Sequence, residues 1–175
     1  MSNRTRPLLV RYLPAFFALA GVALSSIPAS ADQIATADRV VVHKSAHKLD
    51  LYSGSRLLGE NRVELGLNPV GQKEREHDFR TPEGRYFLAR RNTRSDYFLS
   101  IQVSYPNKDD EKRARKYHWA PGGSIMIHGL PNLPKHPLAY YLSNDWTDGC
   151  IALSNSDMVE VWMRTQDNIP IDIYP

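Results

Sequence analysis

Cysteine is almost missing from this chain of 175 residues: there is one, Cys150. A single thiol closes no intramolecular disulfide, and without a C-x-x-C pair there is no sign of a dithiol redox protein. One thiol and six scattered histidines give no zinc spacing, so neither a metal nor any other cofactor is expected. Long apolar runs are lacking too. The stretch Leu13–Leu24 is about 12 residues long, against the roughly 20 that span a bilayer. Repeats, low-complexity linkers and shifts of composition are also absent, which leaves no internal domain boundary.

An excess of one charge is missing once the N-terminus is set apart. Residues 1–12 carry Arg4, Arg6 and Arg11 and no acid, the apolar run follows, and Ala29-Ser30-Ala31 fits a small-x-small cleavage site. This is the pattern of a secretory signal peptide, residues 1–31. Taking those three arginines from the 22 basic residues leaves 19, against 19 acids. Residues 32–175 are then neutral overall, which removes basicity as an argument for nucleic acid. They form one domain of common size, able to bury its own core. No stable membrane insertion is expected after cleavage. With no cysteine near the leader, no lipid anchor is expected either.

The first half of that domain reads as strands. R-V-V-V-H-K (39–44) is β-branched, and H-K-L-D-L-Y (47–52) alternates, with Leu49 and Leu51 on one face. After the turn at 53–55 extended structure resumes over 56–65. Residues 68–79 are a polar loop and T-P-E-G (81–84) a turn. Strands are expected at 85–90, at 97–105, in S-I-M-I-H-G (124–129) and at 169–174. The mixed-sign run 108–116 reads as a solvated helix or lid. A short helix is expected at 135–142. Another should follow a cap at Ser154 or Asn155, with Met158, Val159, Val161 and Trp162 as its apolar face. The sum is a mostly-β domain with a few short helices, a sandwich or barrel rather than a parallel α/β sheet.

Cys150 could be a small buried hydrophobe or a nucleophile. A free thiol is only roughly 3% thiolate at pH 7, so a nucleophile needs a base. No histidine follows Cys150; the six stand at 43, 47, 77, 118, 128 and 136. That excludes the Cys-then-His order of papain-like and NlpC-like hydrolases. His128, closing an apolar strand and followed by Gly129, is the best candidate for the base. Gly149 before the cysteine lets backbone N–H groups converge on one point, as an oxyanion requires. The combination suggests acyl transfer through a thioester.

I-M-I-H-G (125–129) and T-D-G-C-I-A-L (147–153) resemble the signature of the YkuD-type L,D-transpeptidases. The segments 65–86, ending in T-P-E-G-R-Y, and V-S-Y-P-N-K-D-D (103–110) agree with it, and the resemblance covers roughly 39–174. It implies a β-sandwich-like catalytic domain acting on peptidoglycan stem peptides, exported to the periplasm of a Gram-negative bacterium. Cys150 would attack the carbonyl of the third stem residue, usually diaminopimelate, and D-Ala would leave. An amine would resolve the acyl-enzyme. His128 would shuttle the proton, oriented by a carbonyl near Gly129, and the N–H groups of Gly149 and Cys150 would hold the oxyanion. Carbapenem acylation of the cysteine is also implied.

Two positions depart from the family's frequent S-H-G-C-[IV]-R: Asp148 stands for the histidine and Ala152 for the arginine. The missing arginine removes a candidate carboxylate anchor. Asp148 places an acid beside the thiol, where it could raise the thiol pKa or pair with His128 or a substrate amine. Asp148, Thr147, Tyr140, Tyr141 and Trp146 are candidates to line an acyl-donor groove. Water in place of the amine would give a carboxypeptidase, or a hydrolase releasing a wall-attached lipoprotein. A sortase-like enzyme lacks support, since T-L-x-T-C is absent. A non-catalytic wall-binding module is the remaining alternative. An activated thiol in an oxidising compartment should also depend on reduction.

Overall fold

The computed structural model describes residues 34–175, so the expected signal peptide lies outside the described residues. Eight strands form one sheet: β1 Arg39–His43, β2 Lys48–Ser53, β3 Arg56–Arg62, β4 Gly84–Asn92, β5 Ser100–Val103, β6 Met126–His128, β7 Ile151–Ala152 and β8 Pro170–Tyr174. Their order is β3-β2-β1-β8-β4-β5-β6-β7. Two neighbouring pairs are parallel, β1 with β8 and β6 with β7; the other five are antiparallel. Three helices accompany the sheet: α1 Lys108–Lys116, α2 Leu138–Tyr141 and α3 Asn155–Arg164.

The sheet curls until its ends meet. β3 and β7 are the two edges, and the chain leaving β3 runs beside β7. Glu64 and Ala152 exchange both backbone hydrogen bonds, at 2.9 and 2.8 Å, and Gly66 bridges Thr147. Closure satisfies backbone groups that an open edge would leave to solvent. It also explains why Val63 and Leu65 are fully buried although they lie beyond β3.

The alternating residues Val40, Val42, Leu49, Leu51, Leu88, Ile101, Ile127, Ile171 and Ile173 fill the interior. α3 closes it from outside. Ser154 caps it, its hydroxyl accepting from the Asp157 N–H at 3.1 Å, and Met158 and Val161 reach the core with no exposed surface. Trp162 packs partly buried, but Val159 faces solvent at 43% exposure, since it lies one position off the buried stripe.

Other elements are shorter than expected. The strand anticipated over 97–105 begins only at Ser100. Phe98 has φ +57°, which a strand cannot continue, and its N–H goes to the Asn132 side chain instead of a ladder. The helix anticipated at 135–142 is the single turn 138–141, started by Pro137. α1 is a solvated helix with a full capping box between Asn107 and Asp110. Among the described residues no helix is long and apolar enough to cross a membrane.

Candidate active site

β6 and β7 run parallel, with His128 opposite Ala152 and Ile127 opposite Ile151. His128 closes β6 and Cys150 immediately precedes β7. Residues 22 apart in the chain are thereby brought to one rim of the sheet. Both line a single cleft of about 530 Å³ together with Trp146, Thr147, Asp148, Tyr97, Lys73 and the 122–126 segment. None of α1 lines this cleft.

The imidazole of His128 is fixed on several sides. Nδ1 lies 2.7 Å from the Gly129 carbonyl. A carbonyl only accepts, so Nδ1 carries the proton and Nε2 keeps a lone pair. The Tyr97 ring sits 4.6 Å from the imidazole and the Trp146 ring 5.5 Å, centroid to centroid. Burial depresses the pKa of His128 to about 4, against a smaller upward pull from the Gly129 carbonyl. The ring is therefore neutral at ordinary pH. Gly129 is itself tightly placed: a Cβ there would lie 2.7 Å from Asn155 Oδ1, which receives the Leu130 N–H.

Cys150 is half-buried and is the sole cysteine. Its Sγ receives the Met126 N–H at 3.4 Å and lies 3.7 Å from the Ser124 carbonyl. Burial pushes the thiol pKa up; the Met126 N–H opposes this, Asp148 adds to it and Lys73 opposes it. At rest the cleft accordingly holds a neutral thiol and a neutral imidazole.

The segment before the thiol is braced from the far edge of the sheet. Asp145 Oδ1 accepts the Leu65 N–H at 2.6 Å and the carboxylate pairs with His47 Nε2 at 3.1 Å. Thr147 exchanges backbone bonds with Leu65 and Leu67, and its hydroxyl donates to the Cys150 carbonyl at 2.8 Å. The Gly149 N–H goes to the same hydroxyl at 3.1 Å, which leaves it committed within the turn. The Gly129 N–H is likewise committed, to the Leu99 carbonyl. Among the described residues the Cys150 N–H has no such acceptor. Gly149 has φ +125°, and a Cβ there would lie 2.6 Å from the Arg80 carbonyl oxygen. Only glycine fits this turn.

Of the residues expected to line a groove, Trp146, Thr147 and Asp148 do, with Asp148 exposed at the rim. Tyr140 and Tyr141 do not line it. Tyr141 packs behind Trp146, ring centroids 5.0 Å apart, and its hydroxyl accepts the N–H groups of Lys135 and His136. Sequence reasoning missed Tyr97, taken as a strand residue, and Lys73, hidden in a polar loop. No local pattern marks either, because both reach the cleft from segments remote in the chain.

One group could hold a cation by residue type. His47, Glu64 and Asp145 bring ligand atoms within 4.8 Å of one another. Each is already engaged, His47 with Asp145 and Glu64 with Arg62 at 2.9 Å, so the group works as a brace.

The YkuD family model, described as the L,D-transpeptidase catalytic domain, matches residues 37–173. YafK of Escherichia coli (strain K12), whose name marks it as a candidate L,D-transpeptidase, is 27% identical over 149 residues; the match covers 78% of this chain and 53% of that protein. The helical cell shape determining protein Pgp2 of Campylobacter jejuni superposes with TM-score 0.60 at 26% identity, over 77% of this chain and 46% of the other. An L,D-transpeptidase of Xylanimonas cellulosilytica shares the fold, with TM-score 0.53 at 14% identity, over 80% and 61%. The chain spans about half the length of the curated relatives it matches.

Proposed function

We propose, from the premise that the chain belongs to the YkuD family of L,D-transpeptidase catalytic domains, that it is an exported peptidoglycan L,D-transpeptidase with Cys150 as nucleophile and His128 as base. The observation that carries this reading is the His128 ring: Nδ1 is tied to the Gly129 carbonyl, so the free lone pair is on Nε2, in the cleft that holds Cys150. The thiol proton passes to Nε2 as Sγ attacks the diaminopimelate carbonyl of a tetrapeptide stem. The Cys150 N–H stabilises the oxyanion. The imidazolium returns the proton to the amine of D-Ala, which leaves a thioester. An acceptor amine loses its proton to Nε2, attacks the thioester and frees the thiol. Glu76, Asp96 and Asp148 line the cleft and draw an amine acceptor, which supports transfer over hydrolysis.

The test uses the purified protein with a Cys150→Ala control, incubated with disaccharide-tetrapeptide and with sacculi carrying bound lipoprotein, products identified by mass. Cysteine-dependent loss of D-Ala with dimer formation is expected. Tripeptide alone makes the enzyme a carboxypeptidase, and lipoprotein release without new cross-links makes it a hydrolase of that bond. No cysteine-dependent product returns the chain to a wall-binding role.

A further inference from the structure

Two cations line the cleft among the described residues, Lys73 and Arg94. They are unlike. Arg94 is exposed, whereas the Lys73 side chain is 3% exposed. Its Nζ donates to Asp78 Oδ1 at 2.7 Å and to the Arg75 carbonyl at 3.2 Å. An ammonium has three N–H groups, and these partners take two. Asp78 also accepts the backbone N–H groups of Glu74, Arg75 and Arg80, at 2.8, 3.1 and 3.1 Å. One carboxylate thus serves four donors, and it compensates the ammonium only in part.

The loop is a mount for this lysine. A free lysine loses about 2 kcal/mol of rotamer entropy when it is fixed; here the loop has fixed it before any ligand arrives. The ammonium also bears on the chemistry, since it draws the Cys150 thiol pKa down. An ion pair that only tied the loop together would need no place in the cleft wall. Ala152, where the family often carries an arginine, is buried at 1% and does not line the cleft. The fixed positive charge of this cleft comes from another segment.

We infer that Lys73 forms a carboxylate-binding subsite of the cleft, holding the free C-terminal carboxylate of the stem peptide whose last amide bond Cys150 attacks. The inference rests on the proposed function and assigns the residue that reads the free acid of its donor stem.

The test compares disaccharide-tetrapeptide with the same compound carrying a C-terminal carboxamide, which needs no mutation. Wild-type protein should favour the acid by about 10- to 100-fold in kcat/KM, the usual weight of a hydrogen bond to a charged group. Lys73→Gln should bring the ratio close to one, Lys73→Arg should keep most of it, and Arg94→Gln should keep it. A loop-tying role lowers both substrates together and leaves the ratio alone. Equal use of acid and amide by the wild type overturns the subsite, as does a ratio that survives Lys73→Gln or one that Arg94→Gln removes. Binding of the two peptides to Cys150→Ala protein, read by calorimetry, needs no turnover. Tighter binding of the acid there with no wild-type turnover overturns the proposed reaction and upholds the subsite; equal binding overturns the subsite alone.

Discussion

The thiol of Cys150 is tuned by one group adjacent in the chain and one remote from it. Asp148 raises its pKa and Lys73 lowers it, on top of burial that favours the thiol. Asp148→Asn should therefore move the midpoint of iodoacetamide alkylation to lower pH, and Lys73→Gln should move it higher. Movement of both in one direction would show that conformation, not charge, controls the thiol. His128 is depressed to about 4, so the imidazole is already neutral at pH 5. The acid limb of kcat/KM for D-Ala release should fall near pH 4, not near the ordinary histidine value of about 6.5. His128→Ala should cost on the order of 10²- to 10⁴-fold in kcat. Both residues stood out in the sequence as candidates, from the order of histidine before cysteine, Gly129 after the strand end at His128 and Gly149 before the thiol. Tyr97 and Lys73 did not, because cleft walls are assembled across the fold.

Among elements, the 145–152 segment carries most of the positional demand. Asp145 satisfies the Leu65 N–H and holds His47, so Asp145→Asn should destabilise the protein by about 1–3 kcal/mol in urea denaturation. Loss of D-Ala release larger than the stability change would show that the brace also positions Cys150. Gly149→Ala meets both an unfavourable φ and the Arg80 carbonyl, and should abolish turnover while lowering the thermal midpoint. Normal activity in that variant would mean that the turn can re-form another way. Sequence periodicity located nearly every strand and α3, since buried alternation and a serine cap are local signals. It overextended the strand at 97–105 and the helix at 135–142. There tertiary contacts, the Asn132 side chain on the Phe98 N–H and Pro137 at the helix start, override propensity.

The whole molecule couples the site to its stability through pH. Unfolded, His128 takes up a proton near pH 6.5; folded, it resists until about pH 4. The unfolded state therefore binds more protons across that window, and stability falls as pH drops from about 6.5 to about 4. Above 6.5 this contribution is fully present. Urea midpoints at pH 7.5 and 5 should show the loss, and His128→Gln should make it smaller. An unchanged slope would place the acid sensitivity elsewhere.

By itself the sequence determined the mostly-β class, most of the strands and a helix start at Ser154 or Asn155, and it singled out Cys150 and His128 as candidates, because these rest on periodicity, capping chemistry and chain order. Only the tertiary structure decided that residues 63–67 close the sheet against its far edge, that Tyr141 supports Trp146 instead of facing the cleft, and that the Gly149 N–H is spent within its turn. It also decided that a buried lysine from a remote loop stands in the cleft wall. Each of these depends on which hydrogen bonds and charges are satisfied across long separations in the chain, and that accounting exists only once the sheet has curled.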